Sequence, residues 1–152
     1  LALRGDNAQE LASLTVAEAA AEQLSLALHN LRLRETLRQQ SIRDPLTGLF
    51  NRRYLEEALN HELSRCTRRV QPLSVLMLDV DHFKQCNDLH GHSGGDRVLA
   101  AIGELLLAQT RGEDICCRYG GEELTIILPE VDLATASAMA EKLRAGIDGL
   151  QV

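Results

Sequence analysis

The stretch LSVLMLDVD, Leu73 to Asp81, constrains the fold more than any other. It is a near-continuous apolar run closed by two aspartates, too short to span a membrane, and it reads as a buried central strand. A short helical turn, HFKQCND, and a glycine-rich loop, HGHSGGD, follow it. Val98, Leu99, Ile102 and Leu106 then recur at helical spacing. DICCRY and ELTIIL read as two strands joined at Gly120-Gly121 by a two-residue hairpin turn, with Pro129 stopping the second. Asp132 can cap a last helix whose inner face is Ala136, Met139, Leu143 and Ile147.

The order from Leu73 is therefore β-α-β-β-α. It predicts an α/β chain with a ferredoxin-like βαββα(β) sandwich whose final strand is not supplied. That strand would lie beside the first, so without it the most apolar strand becomes an edge.

Upstream, no glycine or proline interrupts the chain between Gly5 and Pro45, which permits a long helix. Thr15 and Glu18 form a capping box that starts it near Val16. Val16, Ala20, Leu24, Ala27 and Leu31 form one apolar stripe with Leu28 alongside, and Leu26, Leu33 and Leu37 a sparser one. From Arg32 onward RLRETLRQQ keeps only an occasional leucine. This reads as a helix leaving one domain as a thin, coiled-coil-like connector; a solitary amphipathic helix packed on its own domain fits the pattern equally. DPLTGLFNRR, Asp44 to Arg53, breaks the helix. A second amphipathic helix follows, with a face of Leu55, Ala58, Leu59, Leu63 and Cys66.

A net charge of −6 argues against a nucleic-acid polymer as partner, but not against a nucleotide accompanied by a cation. No membrane segment or signal peptide is visible. The four cysteines lack C-x-x-C spacing, so a reduced, cytoplasmic protein is expected.

Asp79 and Asp81 close the apolar strand, where α/β architectures commonly present ligands. If the hairpin neighbours that strand, Glu122 emerges near Asp79, and two carboxylates completed by water and phosphate oxygens suit Mg²⁺. Lys84 could neutralise phosphate charge. HSGGD opens a helix whose N–H groups could receive phosphate. Asn87 and Asp96 carry the groups that read a guanine edge. His90 and His92 make an H-x-H pair beside acids, but no third nitrogen or thiolate has suitable spacing for zinc.

Together, DPLTGLFNRR, DVDHFKQCNDLHGHSGGDRVL and RYGGEEL resemble, in order and approximate spacing, the motifs of the GGDEF family, the diguanylate cyclases. The resemblance runs from Asp44 to the C-terminus and makes 44–152 a GGDEF domain lacking its last strand and helix. It implies condensation of two GTP into cyclic di-GMP with release of two pyrophosphates. Asp79, the Val80 carbonyl and Glu122 would hold Mg²⁺ or Mn²⁺. Glu122 would also serve as base for the 3′-hydroxyl, and Lys84 would steady phosphate charge. Asn87, Asp96 and His92 would surround guanine, and Gly120 and Gly121 would let backbone approach the phosphates. Arg111 and Asp114, in RGED, match an R-x-x-D inhibitory site for the product. GGEEL departs from the family name by a glutamate in the third place and a leucine in the last.

Residues 1–43 look similar to the end of a GAF sensor running into a signalling helix. A parallel pair of such helices would make a homodimer and bring two half-sites together. The alternatives are a non-catalytic receptor for GTP or cyclic di-GMP, and a dimerising signalling module.

Overall fold

The computed structural model describes residues 21–33, 35, 37 and 42–151. The capping box at Thr15 and the first apolar positions, Val16 and Ala20, lie outside them. The chain divides into two compact units, Leu1–Ser41 and Ile42–Val152.

In the first unit, residues 21–33 form a helix, α1. Its leucines 24, 26, 28, 31 and 33, and Leu37 beyond them, stand 51–65% exposed.

The second unit runs β1 (Phe50–Asn51), α2 (Arg52–Arg69), β2 (Leu73–Asp79), α3 (Phe83–Gln109), β3 (Ile115–Gly120), β4 (Glu123–Pro129) and α4 (Leu133–Asp148). The strands form one sheet in the order β1-β3-β4-β2. β4 pairs antiparallel with both β2 and β3, and β1 pairs parallel with β3. The sequence of elements from Leu73 is the one its patterning predicts, and β2, apolar enough for a central strand, is an edge, as expected where no strand lies on its other side. It occupies the sheet edge, and Val75 and Met77 are 44% and 70% exposed. Its apolar density belongs to a strand buried on two faces; here only the face carrying Leu76 and Leu78 packs against the main core.

Side-chain alternation along β3 and β4 gives each sheet face its own core. Cys116, Leu124, Ile126 and Leu128 pack with Ile102, Leu106 and Leu143. Cys117 and Ile127 pack with Leu55 and Ala58 of α2. Asn51 caps α2 by accepting the Tyr54 N–H at 3.1 Å, and Asp132 caps α4 by accepting the Thr135 N–H at 2.8 Å. The α2 face follows its periodicity except at Leu63, which is 53% exposed: it lies on the flank that the sheet does not reach.

The expected loop HGHSGGD is helical instead. α3 is two helical segments joined at Gly91 (φ 73°, ψ 168°), whose non-helical backbone turns the first segment back over the second. Gly94 and Gly95 are buried where the segments cross: a Cβ on Gly94 would lie 2.5 Å from that of His90, and one on Gly95 would fall on Asn87 Oδ1. The glycines that read as flexible are there for close approach.

Gly103, further along α3, admits the DPLTGL loop in the same way, since an added Cβ would overlap the Thr47 backbone carbonyl. Gly103→Ala is therefore expected to lower stability by about 1–3 kcal/mol, read from urea unfolding, although alanine is the better helix former.

Candidate active site

The site forms where β2 ends beside the β3–β4 hairpin. Asp79, last residue of β2, stands opposite Glu123, first residue of β4, so Glu122 immediately precedes the partner of Asp79. The hairpin turn differs from expectation by one residue. Gly120 pairs with Glu123, which leaves Gly121 and Glu122 as the two turn residues. Gly121 has φ 52° and Glu122 has no positive φ, as a II′-type hairpin turn requires. The shift comes from a bulge between Arg118 and Gly120 that leaves Tyr119 out of the ladder.

Arg118 fastens this tip. Its Nε donates to the Gly121 carbonyl at 2.9 Å, and its Nη1 reaches both Asp44 carboxylate oxygens at 3.2 and 3.3 Å. The same carboxylate accepts the Thr47 N–H at 2.9 Å and the Thr47 hydroxyl at 2.8 Å. Burial works to raise the Asp44 pKa, but the two Thr47 bonds and then Arg118 outweigh it and hold it below its ordinary 3.8. This contribution to stability is present above that ordinary value and is lost as pH falls through the lowered one. The motif DPLTG is thus a bracket that connects residue 44 to the turn bearing Glu122. Sequence reasoning named neither Arg118 nor Asp44 as part of the site; the one legible signal was an arginine two residues before the paired glycines.

Among the described residues, Asp79, Asp81, Glu122 and Lys84 take part in no ion pair or side-chain hydrogen bond. Uncompensated carboxylates at one strand end suit a hard divalent cation. No three His, Cys, Asp or Glu side chains among the described residues converge into a cage. The Val80 carbonyl accepts only a long 3.3 Å bond from the Phe83 N–H, so a lone pair remains for a cation.

Beyond Asp79 the chain turns through His82, in left-handed conformation (φ 58°), and enters α3 with exposed Lys84 in its first turn. Asn87 lies over Gly95, the residue before Asp96, where the two segments of α3 cross. Its Oδ1 is buried and has no hydrogen-bond partner. His92 and Asp96 are exposed in the first turns after the Gly91 kink.

Arg111 and Asp114 are placed elsewhere, in the loop before β3. Asp114 is buried and its Oδ2 accepts the Arg111 N–H at 2.8 Å, leaving the Arg111 side chain exposed. They stand at the opposite end of β3 from the hairpin tip, roughly 17 Å away for a strand of this length.

The fold is a mixed α/β domain with carboxylates gathered at one strand end. A family model described as “Diguanylate cyclase, GGDEF domain” matches residues 41–152, and the chain belongs to that family. It is 42% identical over 109 residues to the response regulator PleD of Caulobacter vibrioides, covering 72% of this chain and 24% of that protein. It is 43% identical over 113 residues to the diguanylate cyclase DgcP of Pseudomonas aeruginosa, covering 74% and 17%. The chain thus spans a quarter or less of these relatives. Among solved structures it resembles the coiled coil and GGDEF domain of DgcB from Caulobacter crescentus in complex with c-di-GMP. The TM-score is 0.79 at 25% identity, covering 89% of this chain and 71% of that one. It also resembles the diguanylate cyclase SiaD, from Pseudomonas aeruginosa and in complex with its activator SiaC. There the TM-score is 0.73 at 39% identity, covering 99% and 57%.

Proposed function

We propose that the protein condenses two GTP molecules into cyclic di-GMP, releasing two pyrophosphates. The observation that carries this reading is the pairing of Asp79 with Glu123, which sets the Glu122 turn against the end of β2. Asp79, Glu122 and the Val80 carbonyl would hold Mg²⁺ or Mn²⁺. When bound, the cation would polarise the α-phosphate and favour ionisation of the attacking hydroxyl.

The chain's own residues do the rest. Glu122 accepts the proton of the 3′-hydroxyl, and Lys84 offsets charge that builds on the phosphate. The unpartnered Asn87 Oδ1 accepts from a guanine N–H, and the Asp96 carboxylate takes a neighbouring one; His92 borders the same pocket. Gly120 and Gly121 present backbone without side chains to the phosphates; an added Cβ at either would meet no heavy atom within 4 Å, so the space is open.

One such site holds one GTP, so bond formation needs a second copy whose nucleotide faces the first. The exposed leucines of α1 support a homodimer through that helix. Conversion of GTP to cyclic di-GMP in the presence of Mg²⁺ tests the reading, and absence of product from a chain that binds GTP would overturn it.

Arg111 and Asp114 support a second role, product inhibition. Asp114 uses one oxygen to hold its own turn, which leaves the Arg111 guanidinium free to receive a phosphate or a guanine edge. Arg111→Ala is expected to remove inhibition by added cyclic di-GMP while leaving initial turnover unchanged, since the turn is built on the Arg111 backbone. Inhibition curves with and without product check this.

A further inference from the structure

The bulge at Tyr119 decides which residue occupies the turn. From Ile115 to Arg118 the hairpin follows one register, with Arg118 opposite Leu124. Continued without interruption, that register would pair Tyr119 with Glu123 and leave Gly120, Gly121 and Glu122 as a three-residue loop, with Glu122 at its end rather than in a two-residue turn. Expelling Tyr119 moves the pairing on by one and makes Glu122 the second residue of a two-residue turn. A bulge can slide along a strand unless something fixes it.

Here the bulged side chain is held. The Tyr119 ring packs against the α2-side core, and the Arg52 guanidinium, at the first position of α2, sits 4.5 Å from its centroid. The α2 start is itself rigid: Asn51 caps it, and Phe50 and Tyr54 stack at 4.1 Å. The ring is therefore clamped between a helix end and a core cluster, while Arg118 secures the turn carbonyl from the other side.

We propose that Tyr119 is a positioning residue: its clamped ring pins the bulge, and the pinned bulge fixes the turn in which Glu122 is presented. The catalytic consequence rests on the cyclase reading, whereas the effect on the turn does not. In Tyr119→Ala the bulge is released, and the cross-strand proton contact between Gly120 and Glu123, visible by NMR in the parent chain, is lost or moved. Turnover falls roughly 10- to 100-fold with little change in KM for GTP, as misaimed chemistry rather than weakened binding produces. Tyr119→Phe, which keeps the ring over Arg52, retains both the contact and turnover.

Retention of the Gly120–Glu123 contact in Tyr119→Ala overturns the proposal whatever happens to activity. If that variant does not fold, Tyr119→Leu decides, because it preserves apolar bulk in the core and removes only the ring: an unmoved contact there overturns the proposal and a displaced one supports it. If the parent chain makes no product, the cyclase reading fails, and the NMR comparison still decides the role of Tyr119.

Discussion

Replacing Glu122 by glutamine is expected to reduce formation of cyclic di-GMP by at least about 100-fold, the usual scale for losing a positioned base. The side chain is half-buried at the turn, and among the described residues it forms no ion pair or side-chain hydrogen bond. The amide keeps its shape, so no bond of the fold is broken and stability should stay within about 0.5 kcal/mol. What changes is the negative charge and the ability to accept a proton. Comparing magnesium-dependent product formation and the urea midpoint for parent and variant separates the two effects. Turnover within a few-fold of the parent would remove Glu122 from both roles assigned to it, base and cation ligand.

Gly95→Ala is the second change with a large expected effect, and ordinary helix propensity gives it the wrong sign. Within a helix, glycine to alanine normally stabilises by about 0.5–1 kcal/mol. At Gly95 the new Cβ would land on Asn87 Oδ1 and lie 2.9 Å from a Phe83 ring carbon. The two segments of α3 must then separate, or Asn87 must swing away. We expect a stability loss of about 1–3 kcal/mol, typical of overpacking. Displacing the Asn87 acceptor should also weaken GTP binding about tenfold, the equivalent of roughly 1.4 kcal/mol. Calorimetric titration of the folded variant with GTP checks this; unchanged affinity would mean that Asn87 does not contact the base.

Gly95 also shows where sequence reading stops. A pair of glycines carries the same letters whether it makes a loop, a turn or a helix crossing, and only the partner across the gap distinguishes them. HSGGD therefore read as a loop, because Asn87 and Phe83 gave no sign that they fold back onto it. The apolar run at Leu73 told its own secondary structure and its acidic end, and its place at the sheet edge followed from the ferredoxin-like strand order with no strand beside it. The helices at Leu55, Val98 and Ala136 were legible because period and caps are local. Within the site, the carboxylates, Lys84 and Asn87 were named by motif. The bracket of Arg118, Asp44 and Thr47 joins residues 74 apart and becomes visible only in three dimensions.

The adjacent cysteines of β3 have a practical consequence. Cys116 faces one core and Cys117 the other, and both are buried. Burial pushes the Cys116 thiol up and, with Cys116 beside it, pushes Cys117 to about 12, so at neutral pH neither offers the thiolate that alkylating reagents require. Each becomes reactive only when its own side of the sheet opens. The molecule thus carries a two-channel clock: mass-resolved alkylation of neighbouring positions would time the detachment of α2 separately from that of α3 and α4.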